Sequence, residues 1–138
     1  MSVKTFQKRE RGTVLVESVM VMMTFFIITI GMIELGLGVW AYNTVAHAAR
    51  EGARYAIVHG DGYCAACDHE SEIKTATKNA AIGLKLDPIT DIFVTPAASY
   101  AIGSNVTVRV TYTYRFFSRV LPSASVSLHS TSTMVISY

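Results

Sequence analysis

Val19-Met-Val-Met-Met-Thr-Phe-Phe-Ile-Ile-Thr-Ile30 decides what kind of chain this is. It is apolar on every side of a helical wheel, which is wrong for an amphipathic surface helix. The stretch free of charge and proline fills the whole interval between Glu17 and Glu34. With residues 14–16 and 35–40 added, it exceeds the ~20 residues that a helix needs to cross a bilayer. The sequence therefore predicts one transmembrane helix over residues 13–40. Only 16% of the chain is charged and 51% is hydrophobic; this run is where the apolar excess is concentrated.

Upstream, residues 1–12 carry Lys4, Lys8, Arg9 and Arg11 against Glu10 alone. Positive charge is retained in the cytoplasm, so this basic leader orients the helix and places the rest of the chain outside. Residues 13–138 hold eight basic and nine acidic side chains, so the net charge of +2 belongs to the leader. A nucleic-acid partner is not expected, because the folded part has no basic excess.

Downstream, the helical pattern continues past Trp40 and Tyr42, aromatic residues of the kind found at membrane interfaces. Val45, Ala48/Ala49, Gly52/Ala53 and Ala56/Ile57 recur at helical spacing to about residue 58. This face is built of small residues, so another element can approach its backbone closely. A helix from Thr13 to Val58 would run roughly 65–70 Å. Gly60-Asp-Gly-Tyr63 is loop chemistry. Asp68 or Ser71 can cap a second helix over about 70–86, with an apolar stripe of Ile73, Ala76/Thr77, Ala80/Ala81 and Leu84. Pro88 is expected to end it.

The remainder, about 91–138, reads as strands. Val106, Val108, Val110, Tyr112, Tyr114 and Phe116 alternate with Thr and Arg, the period of a half-buried antiparallel strand. Val126, Leu128, Met134, Ile136 and Tyr138 repeat the pattern more loosely, and residues 92–95 make a third strand. The predicted fold class is α+β. A long N-terminal transmembrane helix extends into a small extracytoplasmic domain (41–138), where a second helix packs on a three-stranded antiparallel sheet. No internal repeat is present. No phosphate loop, nucleophile elbow or carboxylate pair is found, so neither an enzyme nor a cofactor is expected.

Chemistry is most specific at the junction Arg11-Gly12-Thr13-Val-Leu-Val-Glu17. A basic stretch ends in glycine just before the apolar run, and a carboxylate follows five residues later. This is the arrangement of a prepilin. A membrane peptidase would cut after Gly12, where no side chain obstructs entry into a tight active site. Thr13 would become the new N-terminus. Glu17, one helical turn on, could pair with the Thr13 amine of a neighbouring subunit and set its register, since buried charge must be paired. An uncleaved signal-anchor, with Arg11 as an interfacial charge, is the plainer reading. Ala46-His47-Ala48 also satisfies the small-residue rule of ordinary signal peptidase, although it lies well inside a helix-forming segment.

Arg11-Gly12-x-x-x-Val16-Glu17, then Ile33-Glu34-Leu35-Gly36, then Asn43-x-Val45-Ala-x-Ala-Ala49-Arg50-Glu51-Gly52-Ala53-Arg54-Tyr55-Ala56 resemble the TadE-like family. Its members are minor pilins or pseudopilins of the tight-adherence (Flp) type IVb pilus system. The resemblance implies that Gly12 precedes the cleavage point, that Thr13 is the mature N-terminus and that Glu17 is the fifth mature residue. It implies a prepilin peptidase, other pilins, inner-membrane assembly proteins and the bilayer as partners. It also implies a contact role for Glu34; for Arg50, Glu51 and Arg54, pairing across subunits in an assembly is an alternative to a solvated helix face. Ser18 departs from the family, where Phe or Tyr often follows the glutamate.

From spacing, Glu34 is a carboxylate at the outer interface, and Arg50, Glu51 and Arg54 form a solvated face with i,i+3 and i,i+4 pairing. Cys64-Ala-Ala-Cys67 lies beyond the anchor, where disulfides persist. Three readings are open: a structural disulfide, a redox-active pair, and a metal site completed by His59 and His69. A CxxC supplies only two ligands, and the βαβ setting of redox pairs is lacking. A membrane-anchored binding or thiol-redox module is thus the alternative to a pilin-class protein.

Overall fold

The structure is a computed structural model that describes residues 3–59, 68–95, 101–117 and 125–137, with residues 3–11 described by backbone alone. Two helices precede three strands: α1 (Val3–Val58), α2 (His69–Ala80), β1 (Ile92–Thr95), β2 (Asn105–Arg115) and β3 (Ser125–Val135). The strands form one antiparallel sheet in the order β1-β2-β3. The fold is α+β with a long apolar N-terminal helix, as the sequence predicts. Helix α1 starts earlier than expected, since its backbone is already helical through the basic leader.

The chain divides into two compact units, Met1–Leu37 and Gly38–Tyr138. The first is apolar helix, with aliphatic and aromatic side chains facing outward: exposure runs from 41% at Ile30 to 68% at Met20. The second has a core of small and β-branched residues. Val45, Ala48, Ala49, Ala53 and Ala56 of α1 meet Ile73, Ile92, Val106, Val108, Val110 and Ile136. Period-two alternation holds in β2, whose Val106, Val108 and Val110 are buried between exposed or half-exposed neighbours.

Helix α2 begins where Asp68 caps it: the Asp68 carboxylate accepts from the Ser71 N–H at 3.3 Å. It is shorter than the expected 70–86. It stops at Ala80, and the chain turns through Gly83 at φ +83°. This conformation suits glycine. It is also crowded, because a Cβ on Gly83 would sit 2.9 Å from Cη2 of Trp40. The expected terminator, Pro88, instead belongs to a turn held by aspartates. Asp87 accepts from the Ile89 N–H and Asp91 from the Asp87 N–H, both at 2.9 Å. The Asp91 carbonyl then accepts from Thr111 N–H of β2 at 2.8 Å, which ties this turn to the sheet.

Candidate functional site

The first candidate is the N-terminal end of the apolar run. Gly12, Thr13 and Glu17 all lie within α1, and Glu17 is exposed. At 1.5 Å per residue, Glu17 stands about 6 Å along the helix from Thr13. A Cβ on Gly12 would meet nothing within 4 Å. Glycine is a poor helix residue, and among the described residues no packing requires it at this position.

Beyond Glu17 the helix keeps its polar groups to itself. Ser18 donates to the Val14 carbonyl at 2.8 Å, Thr24 to Met20 at 3.0 Å and Thr29 to Phe25 at 2.8 Å. Each hydroxyl in the apolar run is satisfied one turn back, which hydrocarbon surroundings demand. Among the described residues, one helix is long and apolar enough to cross a membrane, and the span lies within Gly12–Val58. None of its most apolar window is buried. It fits a single-pass membrane anchor. Glu34 is only 7% exposed, whereas Ile33 and Leu35 beside it are exposed. Spacing alone suggested an interfacial carboxylate and did not anticipate this burial.

The second candidate is the small-residue continuation of α1. Gly52 is its tightest point. A Cβ there would overlap Oγ1 of Thr77 in α2 and come within 3.2 Å of a Val108 methyl in β2. The Thr77 hydroxyl is fixed by donating to the Ile73 carbonyl at 2.7 Å. Arg50 and Arg54 point outward and Glu51 is half-exposed. The expected pairing among these three is not formed: among the described residues no ion pair links them, and the pair that does form is Lys74–Glu70 on α2. They keep their charges available to solvent. Arg54, Glu51, Tyr55 and His59 line a shallow groove of about 300 Å³ against Ala76 and Ala80. His59 is stacked on Tyr55 with ring centroids 4.0 Å apart, and its Nδ1 lies 3.0 Å from the Tyr55 carbonyl.

The third candidate is the cysteine pair. Cys64 and Cys67 lie outside the described residues. His59 is engaged with Tyr55, and His69 is buried in the first turn of α2. Among the described residues, no group of three or more His, Cys, Asp or Glu could hold a metal ion.

Residues 12–54 match the sequence model of a family described as TadE-like protein. That segment is similar to the family. No curated protein and no solved structure matches the chain. The TadE-like segment opens at Gly12 and closes at Arg54, so it holds the anchor together with most of the small-residue face. The sheet and α2 lie outside it. Within the TadE-like segment, sequence reasoning missed two residues. Ala41 is fully buried, and Trp40, expected as an interface aromatic, has its ring edge against Gly83. Ala41 carries the apolar stripe one turn N-terminal of Val45, so helical spacing could have found it.

Proposed function

We propose that this chain is a minor pilin or pseudopilin taking part in assembly of a tight-adherence (Flp) pilus or a related secretion apparatus. The observation that carries the proposal is the TadE-like match, which begins at Gly12, the residue where basic leader gives way to apolar helix. A prepilin peptidase would hydrolyse the Gly12–Thr13 bond on the cytoplasmic side. Removing the leader takes away the charges that hold the helix in the bilayer by the positive-inside rule. The freed Thr13 amine and the Glu17 carboxylate of a neighbouring subunit are then complementary across a helix–helix contact.

Gly31 and Gly36 support assembly through the helix. Both have open space where a side chain would be, and small residues are the ones that let helices approach in lipid. The exposed, unpaired Arg50 and Arg54 offer charge for subunits or inner-membrane assembly proteins outside the bilayer. The domain would face the extracytoplasmic side.

The test is the intact mass of the protein from native membranes. A terminus at Thr13 is expected. A terminus at Met1 sinks processing, and one at Ala49 would favour a secreted domain instead.

A further inference from the structure

Gly38, Val39 and Trp40 close the transmembrane run read from the sequence, and they also open the folded unit Gly38–Tyr138. Whatever packs beside them within that unit stands level with the outer surface of the bilayer. Two ends of chain do so. The first is the end of β2. This strand runs antiparallel to α1, since Val108 meets Gly52 while the Tyr114 ring lies 3.9 Å from where a Cβ on Gly38 would be. Its helix-facing side changes along the way. Val106, Val108 and Val110 are buried, whereas Tyr112, Tyr114 and Phe116 are half-buried. Aliphatic core thus gives way to aromatic rings as the strand nears Gly38. Tyr114 and Phe116 pack edge to face with centroids 5.5 Å apart. Phe117 follows them and is 88% exposed.

The second end is the turn after α2. Gly83 lies against the Trp40 ring, and helical side chains lean toward the N-terminus of their helix. Ile82, beside Gly83, is 78% exposed. Exposed cations flank both ends, Arg115 at the first and Lys85 at the second. Aromatic rings with Lys or Arg next to them are the anchors that proteins place at a membrane interface.

We propose that Ile82 and Phe117 enter the extracytoplasmic leaflet of the same bilayer that the anchor crosses, so that the outer domain rests on lipid. The partner is a phospholipid surface. The two apolar tips reach its acyl chains, and Arg115 and Lys85 stand at the level of the headgroup phosphates. Phe117 comes at most about 10 Å beyond the Tyr114–Gly38 contact, which matches the ~5–10 Å depth of interfacial side chains. The contact requires the membrane anchor but neither leader cleavage nor a pilus.

The test uses the purified full chain in phosphatidylethanolamine–phosphatidylglycerol vesicles. Ile82→Cys, Phe117→Cys and Ile102→Cys are each labelled with a fluorescent NBD maleimide without reductant, and wild type is the blank for Cys64 and Cys67. The first two side chains are exposed, so the label displaces no core packing. Ile102, also exposed at 68%, is the control from the opposite end of the domain. It adjoins the Gly103 turn bonded to Ile136, where Ser137 N–H meets the Ile57 carbonyl. Ile57 lies about 28 Å along α1 from Gly38. Lipid carrying a nitroxide on its acyl chain is expected to quench the labels at 82 and 117 several-fold more than the label at 102. Quenching at 82 and 117 no greater than at 102 overturns the proposal. Blue-shifted but unquenched emission at 82 and 117 assigns these tips to a protein partner or a second copy, and overturns it too. Met23→Cys, inside the apolar run, separates the two layers of the reading. An unquenched label there sinks the anchor and the lipid contact together, whereas a quenched one leaves any failure to the domain contact alone.

Discussion

Gly52 sits where three elements converge, and the space there is already taken. Gly52→Ala must push against the Thr77 hydroxyl and a Val108 methyl. Overpacking of this kind costs about 1–3 kcal/mol. Thermal melting of the detergent-solubilised chain should therefore show a lower midpoint for Gly52→Ala. Gly31→Ala, whose side chain meets nothing within 4 Å, should leave the midpoint unchanged. Gly12 differs again, because the role proposed for it is in processing. Gly12→Val is expected to insert normally yet fail to convert to the shorter form; normal maturation of that variant contradicts the role proposed for Gly12. At this scale the sequence made the small-residue face legible, because Ala48, Gly52 and Ala56 recur with helical period. It could not reveal that Thr77 closes on Gly52. Periodicity tells which side of a helix is inward, not which neighbour arrives there.

Among the elements, α2 depends most on its ends. It has twelve residues, too few to be stable alone. Asp68→Ala removes the carboxylate that accepts from Ser71 N–H, a loss of about 0.5–2 kcal/mol. Faster amide exchange in the first turn of α2 should follow; unchanged exchange would mean the cap is idle. Ile73, fully buried beneath the same helix, is worth more. Ile73→Ala should cost about 2–5 kcal/mol by emptying a packed site. The start of α2 was readable from Asp68. Its end was not, because Leu84 imitates helical spacing after Gly83 has already turned the chain. β2 was readable because valines alternate strictly with threonine and arginine. β3 was fainter, since Ser130 and Ser132 occupy positions on its apolar parity.

For the whole molecule, the exposed apolar helix dominates behaviour in solution. Side chains from Val14 to Ile33 need hydrocarbon or other helices around them. The full chain is expected to stay with the membrane fraction through high-salt and alkaline washes and to leave it in detergent. Release by salt alone would contradict an anchored protein. The contact between Trp40 and Gly83 gives the molecule something further. Trp40 is the only tryptophan in the chain. Its ring lies against the turn that follows α2, so its fluorescence is a built-in optical gauge of one event, the seating of that turn. Emission from unlabelled protein would report when the domain closes and when it comes apart, with no second indole to blur the signal.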